Sequence, residues 1–315
     1  MTLLLIWILI FVASFIVLVK SSDYFTISAE KIGLYFGLSS FVVGVLFVAI
    51  GTSLPELISS IFAVLNNSSD IVIGDVVGSN ITNIFLVLGV CFFLAKKSKL
   101  NFKDFKVDFY LLIGSAFYLW ITLLDSVFGK IDAIVAILII SVYIYYMIRS
   151  NRTNEIDSDL SINKKHLGIT TIVIFVISAV FIYLSAAYLI KSIIRISSIL
   201  NIGVYVVSLS AVALGTSLPE LFVSISALKR NNIGLSVGNI VGSNIFNTFA
   251  VMSVPVFIKN LYVKQIFLDF YIPVMVLATL LFFFVVKTKK IKRSVGILFL
   301  LLYVVFLFKV FGLFI

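Results

Sequence analysis

The sequence predicts an all-α membrane protein of ten transmembrane helices, arranged as two inverted five-helix repeats with broken helices at a central site. Of its 315 residues, 62% are hydrophobic and 12% are charged, which is about half the charged fraction of an average soluble domain. Apolar runs long enough to cross a bilayer recur along the whole chain. Two long segments also occur twice, at one fixed offset.

The apolar runs define the predicted spans. A helix that crosses the hydrocarbon core needs roughly 20 mainly apolar residues, and about 17–25 are usual. The predicted spans are residues 2–19, 37–64, 71–95, 107–124, 132–148, 168–190, 203–228, 233–258, 268–286 and 294–313. The first run is uncharged and lacks a basic leading region, so we interpret it as a span and not as a cleaved signal peptide.

The distribution of basic residues predicts the orientation. Loops on one side of the predicted spans contain 18 lysine and arginine residues, whereas loops on the other side contain 6. Because basic loops stay in the cytoplasm, we expect a protein of the cytoplasmic membrane with both termini extracellular. The net charge of +10 is therefore explained by orientation in the lipid bilayer, and we expect no nucleic-acid partner.

An internal duplication divides the chain. Val48–Ser60 (VAIGTSLPELISS) matches Val212–Ser224 (VALGTSLPELFVS), and Ile73–Phe85 (IGDVVGSNITNIF) matches Val237–Phe249 (VGNIVGSNIFNTF). Both pairs are separated by 164 residues, so the two copies are aligned with almost no net insertion.

The duplication gives the domain boundaries. We predict a first repeat over residues 1–148, a cytoplasmic linker over 149–167 and a second repeat over 168–315. The duplicated cores cover about 39–90 and 203–254. Since each repeat holds five spans, an odd number, the second is inverted relative to the first. Transporters built in this way bind substrate near the bilayer midplane, between the repeats.

Two acidic residues, Glu56 and Glu220, lie well inside predicted spans at matching repeat positions. A carboxylate at the bilayer centre costs about 3 kcal/mol and is a functional residue by default. If repeat symmetry brings the two together, they form a site with two negative charges that a divalent cation would neutralise. Two protonated, hydrogen-bonded structural acids are the alternative interpretation.

A proline precedes each glutamate, Pro55 in the first repeat and Pro219 in the second. Proline removes a backbone hydrogen bond and kinks a helix, so we expect broken helices with freed carbonyl groups near Thr52 and Thr216. Calcium takes about 6–8 oxygen ligands, and such carbonyls are suitable. A kink that serves only packing is the alternative.

Neutral oxygen donors accompany both glutamates at helical spacing. They are Thr52, Ser53, Ser60, Ser79 and Asn83 in the first repeat, and Thr216, Ser217, Ser224, Ser243 and Asn247 in the second. An all-oxygen set suits calcium, magnesium, manganese or sodium better than zinc or copper. Any single one of these side chains could instead bond a neighbouring helix.

Small and charged residues near these donors carry two further expectations. Gly74 and Gly78, like Gly238 and Gly242, follow a small-xxx-small pattern that predicts close helix contact. Asp75 stands where the second repeat has Asn239, one helical turn before Ser79 on the same face. Two interpretations of Asp75 stay open: an entry carboxylate, or a favourable charge at a helix start.

The paired GTSLPE and GSN-x-x-N segments, in two halves of five spans, resemble the α-repeats of the calcium:cation antiporters, and most closely those of the prokaryotic sodium/calcium exchangers. The resemblance covers essentially the whole chain. It implies four central cation sites for which calcium and sodium compete under alternating access. It also implies that the first and sixth spans form a long, tilted pair that slides to gate access.

The resemblance further implies a role for each predicted site residue. Glu56 and Glu220 would bind calcium, helped by the carbonyl groups of Thr52 and Thr216. The sodium sites would use the side chains of Ser53, Ser79, Ser217 and Ser243 and the carbonyl groups of Ala49 and Ala213, with Asn83 and Asn247 completing the middle.

One departure from the family pattern concerns charge. Some relatives, including the potassium-dependent branch, have aspartate where this chain has Asn247. Because Asn83 is neutral too, the pattern argues against potassium co-transport. It also leaves two central carboxylates, so that a full sodium load would be poorly neutralised.

We therefore expect a secondary antiporter that exchanges sodium for calcium, with the transported ions as its ligands and no cofactor. The chain has no HExxH motif, no histidine within a span and no intramembrane aspartate pair, so we expect no enzyme activity. A proton-coupled calcium or manganese exchanger, using the same carboxylates, is the alternative. A passive cation channel is a further alternative that two central broken helices disfavour. The sequence identifies no protein partner.

Overall fold

The computed structural model describes residues 2–65, 69–95, 106–150, 167–200, 217–287 and 292–311, and nearly all of them are helical. The α-helices are α1 (Thr2–Phe36), α2 (Ser40–Val43), α3 (Ala49–Leu65), α4 (Ser69–Thr82), α5 (Leu88–Leu94), α6 (Lys106–Thr122), α7 (Lys130–Ser150), α8 (Ile169–Ile199), α9 (Leu218–Lys229), α10 (Ile233–Phe246), α11 (Ile272–Lys287) and α12 (Arg293–Val310). Wider π-helical turns occupy Gly44–Val48, Asn83–Val87, Asn247–Val251 and Phe267–Tyr271, and a 3₁₀ turn occupies Val254–Phe257. Two short strands, β1 (Val127–Phe128) and β2 (Leu261–Tyr262), pair antiparallel.

The helical membrane class predicted from the sequence is confirmed by the length and composition of these helices. Within the described residues, eight helical segments are long and apolar enough to cross a membrane. The helix α6 has 17 residues and is slightly shorter than the other spans. The predicted span 203–228 begins outside the described residues, and α9 is its described part. The count of ten therefore stays a prediction.

The first and sixth predicted spans are both too short. The helix α1 continues to Phe36 and not to residue 19, and α8 ends at Ile199 and not at residue 190. Polar residues after Lys20 continue α1, and the Thr26 hydroxyl donates to the carbonyl oxygen of Ser22 within the helix at 2.8 Å. The two long helices pack along each other, and the rings of Phe25 and Phe175 stack at 4.5 Å.

Contacts between loops agree with the alternation of sides predicted from basic residues. Glu30 and Arg230, near two of the basic loops, form an ion pair of 2.7 Å. The Arg293 guanidinium lies over the Phe93 ring, 4.1 Å from its centroid, beside another two basic loops. The β1–β2 pair joins two loops of the other set. Each contact connects loops that the sequence places on the same side.

Glycines allow α10 to approach the helical segment from α2 to α3. A Cβ atom added at Gly44 would lie 2.5 Å from the carbonyl oxygen of Leu235, and one added at Gly242 would lie 2.7 Å from the Cβ of Ala49. A Cβ added at Gly238 would collide with the carbonyl oxygen of Phe41. For the second repeat, these distances confirm the close contact predicted from the glycine spacing.

The break expected at Pro55 is wrong in its position. The helix α3 runs through Pro55 without interruption, although the missing N–H of the proline leaves the carbonyl four residues earlier without its helical bond. The irregular backbone of the first repeat instead lies in the π-helical turn Gly44–Val48. In the second repeat Pro219 lies in the first turn of α9, where its missing N–H leaves no intrahelical bond unmade.

Candidate cation site

The two copies of the duplicated segment share an irregular helix at the same position. One π-helical turn begins at Asn83 and another at Asn247, and these residues are 164 positions apart, the offset of the repeat. Single π-helical turns within α-helices occur frequently at functional sites. Both turns begin at a residue that the sequence predicts to lie in the middle of the cation site.

The two glutamates are both buried in the interior, on helices of the two repeats that contact each other. Glu56 on α3 is 2% exposed, and Glu220 on α9 is 0% exposed. The Ser53 hydroxyl on α3 donates to Oε1 of Glu220 at 3.2 Å, so the two helices contact each other at this level. The two carboxylates are close enough to interact electrostatically. The two carboxylates place negative charge in the region where α3 and α4 of the first repeat contact α9 and α10 of the second.

Many buried polar atoms here have no hydrogen-bond partner among the described residues. For Glu56 this holds for both carboxylate oxygens, and for Glu220 it holds for Oε2. The neutral groups with the same property include the hydroxyl groups of Ser60, Ser217 and Ser243, Oδ1 of Asn83, and both side-chain polar atoms of Asn247. Buried polar groups are almost always satisfied, so such a concentration requires an explanation. Coordinated cations would satisfy the oxygen atoms of this set, though not Nδ2 of Asn247, which is a donor.

The helices α4 and α10, which lead into these π-helical turns, contact each other through asparagines. Nδ2 of Asn244 donates to the carbonyl oxygen of Asn80 at 3.2 Å, and Nδ2 of Asn80 lies 3.5 Å from the carbonyl oxygen of Asn244. Nδ2 of Asn83 donates to Oδ1 of Asn244 at 3.0 Å. Because Asn80 and Asn244 are equivalent repeat positions, their reciprocal contact lies on the approximate two-fold axis between the copies.

Asn239 connects the second repeat to the first. Its Nδ2 donates to the Ser224 hydroxyl at 3.0 Å and to the carbonyl oxygen of Glu220 at 3.3 Å. Its Oδ1 accepts from the Thr52 hydroxyl at 3.3 Å. The Thr52 hydroxyl also lies 3.2 Å from the carbonyl oxygen of Ala49, another predicted ligand. The amide therefore fixes the α9 and α3 backbones close to both glutamates.

The structure brings ten of the twelve predicted site residues into this buried region. They are Ala49, Thr52, Ser53, Glu56, Ser79, Asn83, Ser217, Glu220, Ser243 and Asn247, and each is buried. The other two, Ala213 and Thr216, lie outside the described residues. In the described part of the chain, no three His, Cys, Asp or Glu side chains are grouped as metal ligands. The oxygens therefore come mainly from neutral groups.

The helix-start interpretation of Asp75 is wrong. The helix α4 begins at Ser69, so Asp75 lies beyond the first turn, where a helix-start charge has its effect. Its Oδ1 lies 3.5 Å from the Ser79 hydroxyl, and its Oδ2 is fully buried. The Asp75 carboxylate also acts electrostatically on both Glu56 and Glu220.

Sequence reasoning missed three of the buried polar residues. Asn80 and Asn244 were passed over, although both stand inside the repeated GSN motif, and their position there was a usable signal. Asp108 lies at the start of the predicted span 107–124, where a charged residue is ordinary, but it is 4% exposed and accepts a 2.7 Å hydrogen bond from the Tyr143 hydroxyl. No sequence pattern pairs these two residues, since they lie on different helices.

Comparison with known proteins gives consistent matches over nearly the whole chain. A family model described as sodium/calcium exchanger protein matches residues 6–150 and 170–312. The sodium/calcium exchanger MaX1 of Methanosarcina acetivorans is 32% identical and is covered to 97%, with 95% of this chain aligned. An uncharacterized membrane protein of Methanocaldococcus jannaschii is also 32% identical, over 94% of this chain and 95% of its own length.

A solved structure matches the fold as well. It is the sodium-calcium exchanger NCX_Mj soaked with sodium and strontium, and it superposes with a TM-score of 0.83 at 30% sequence identity. The alignment covers 96% of this chain and 98% of that one.

Proposed function

Because this chain belongs to the sodium/calcium exchanger protein family, we propose that it couples the two ions through the buried site between α3, α4, α9 and α10. It is a secondary antiporter that exchanges sodium for calcium. The observation that carries the assignment to this site is the pair of buried glutamates, one from each repeat, with carboxylate oxygens that lack a partner among the described residues.

The site explains why exchange is obligatory. Calcium binds the carboxylates of Glu56 and Glu220 in the centre, and sodium binds the surrounding neutral oxygens together with the same carboxylates. Because the two ions use overlapping oxygens, they exclude each other. An unoccupied site would hold two buried like charges, which disfavours the movement of the empty carrier. Only the ion-loaded protein then switches between the state open to one side of the membrane and the state open to the other.

The proposed ligand set follows the assignment given by family resemblance. The neutral members are the side chains of Ser53, Ser79, Ser217, Ser243, Asn83 and Asn247 and the carbonyl groups of Ala49, Ala213, Thr52 and Thr216. All members of the set in the described part of the chain are buried, and the hydroxyl groups of Ser217 and Ser243 have no hydrogen-bond partner there; both observations support the set. Hard oxygen ligands of this kind are suited to calcium and sodium.

We further propose the topology in which this site works. Ten spans form two inverted five-helix repeats in the cytoplasmic membrane, with both termini outside and the linker 149–167 inside. The loop contacts that keep predicted cytoplasmic loops together support this arrangement. Labelling of single cysteines at either end with an impermeant reagent on intact cells measures the orientation directly.

Ion substitution in proteoliposomes tests the function. Vesicles loaded with sodium and diluted into sodium-free medium with ⁴⁵Ca²⁺ should accumulate calcium, and replacing internal sodium with potassium or choline should abolish the accumulation. A pH gradient imposed without sodium should not replace the sodium gradient.

The outcomes separate the alternatives. Calcium uptake that follows the pH gradient without sodium would assign the chain to proton-coupled exchange. Uptake that needs no counter-ion of any kind would indicate a channel and refute the proposal.

A further inference from the structure

The duplicated segments that build the cation site differ in charge at one position, which is occupied by Asp75 in the first repeat. The equivalent residue in the second repeat is Asn239, 164 positions later. Each lies four residues before a serine of the predicted sodium sites, Ser79 and Ser243. The two copies otherwise agree closely here, so this position carries one extra negative charge in the first repeat alone.

The contacts of Asn239 show what this position touches. Its amide reaches the backbone of Glu220 and the Ser224 hydroxyl on its own side, and the Thr52 hydroxyl of the other repeat. The repeat predicts that Asp75, the equivalent residue of the first half, lies beside Glu56. Asp75 thus occupies a place from which one side chain can act on both halves of the site.

A carboxylate cannot reproduce the bonds made by the amide, because it has no N–H group to donate. Asp75 therefore contributes by its charge. Its Oδ2 is fully buried, its Oδ1 lies 3.5 Å from the Ser79 hydroxyl, and its charge acts on Glu56 and Glu220. Asp75 is partly buried, and its Oδ2 is shielded from the surroundings of the protein.

A second observation indicates that cations balance this charge. Glu56 is 2% exposed, and neither of its carboxylate oxygens has a hydrogen-bond partner among the described residues. Placing another acid nearby makes the unloaded site less stable and a cation-loaded site more stable. At the centre of the site, Asn247 is neutral and contributes no negative charge, whereas some relatives have aspartate at this position.

We propose that Asp75, which is not grouped with the two glutamates as a metal ligand, acts on the cation site by its charge and supplies, from the first repeat, the negative charge that Asn247 does not. It strengthens binding of both calcium and sodium. The proposal rests on the proposed function, since it assumes that the site between the glutamates takes these ions.

Removing the charge is the first test. In proteoliposomes, Asp75→Asn should raise the calcium concentration for half-maximal uptake and the sodium concentration for half-maximal inhibition, each about tenfold. Asp75→Glu keeps the charge and should stay near the wild-type values, which separates loss of charge from disturbance of α4. Values for Asp75→Asn within about twofold of wild type would overturn the proposal.

Relocating the charge is the stronger test. The double variant Asp75→Asn, Asn247→Asp returns one carboxylate to the site, now from the second repeat. We expect the half-saturating concentrations of calcium and sodium to return toward the wild-type values. If Asp75→Asn weakens binding but the double variant does not recover it, charge is not the reason and the proposal fails.

A matched control separates this result from a general effect of losing a membrane carboxylate. Asp108→Asn removes a buried acid that is bonded to Tyr143 and should leave both ion dependences unchanged. If it shifted them as far as Asp75→Asn does, the role given to Asp75 would be excluded. Absence of sodium-driven calcium uptake by the wild-type protein would instead refute the proposed function.

Discussion

Replacing Glu56 with glutamine tests the reasoning behind the site most directly. Glutamine keeps the shape of the side chain and removes one negative charge. Glu56 is 2% exposed, and neither of its oxygens has a hydrogen-bond partner among the described residues. A bound cation is therefore the group expected to balance its charge.

The magnitude follows from the cost of breaking a buried charge pair. Removing one partner of such a pair costs about 3–5 kcal/mol. Since about 1.4 kcal/mol corresponds to a tenfold change in a dissociation constant, we expect Glu56→Gln to weaken calcium binding by about 150-fold to 4,000-fold. Without calcium, the variant should be at least as stable as the wild type, because glutamine carries no charge to desolvate.

Thermal unfolding of the purified protein in detergent, with and without calcium, measures both effects. A ligand that binds only the folded protein, at 100 times its dissociation constant, stabilises it by about 2.7 kcal/mol. At the same calcium concentration, a variant with 150-fold weaker binding gains only about 0.3 kcal/mol. The calcium-dependent rise in melting temperature should therefore nearly vanish in Glu56→Gln.

The control is Asp108→Asn, which removes a buried carboxylate that accepts a 2.7 Å hydrogen bond from Tyr143. It should lower the intrinsic stability and keep the full calcium-dependent rise. A Glu56→Gln protein that keeps the calcium-dependent rise of the wild type would refute the reasoning, because calcium would then be bound elsewhere.

Two more outcomes follow from the geometry. Acid pH should inhibit exchange and raise the half-saturating calcium concentration, because a proton on Glu56 or Glu220 removes a charge that binds calcium. If the half-saturating calcium concentration were the same at neutral and acid pH, this prediction would be wrong. Gly238→Ala should destabilise the protein by about 1–3 kcal/mol, because the added Cβ meets the backbone carbonyl of Phe41. Gly114→Ala is its control: the position is exposed on α6, the new Cβ meets no neighbouring element within 4 Å, and the change should not lower the melting temperature.

The sequence could predict the spans and the central acids because both depend on local or repeated patterns. Apolar length marks a span wherever the helix is mainly in lipid, and the fixed offset of 164 residues placed Glu56 and Glu220 at equivalent positions. That equivalence predicted that both glutamates lie in the interior between the repeats; both are buried, and Ser53 of α3 donates a hydrogen bond to Glu220.

What could not be predicted depends on contacts between distant segments. The polar part of α1 is helical because it packs against α9, with the Asp23 carboxylate accepting a 2.7 Å hydrogen bond from Ser226. An apolar-length criterion ends the helix where polar residues begin. The π-helical turns at Asn83 and Asn247 have no established sequence signature, and the shift of the helix irregularity away from Pro55 follows from the same limit.

The reciprocal contact of Asn80 and Asn244 has a consequence for the origin of the fold. Each residue meets its own counterpart, which is the contact that a two-fold homodimer makes with itself. A separate five-helix ancestor could thus have formed this interface with a second copy, provided that copies entered the membrane in both directions. By the same logic, two fragments co-expressed after cutting the chain between α7 and α8 have the self-complementary surface needed to reassociate.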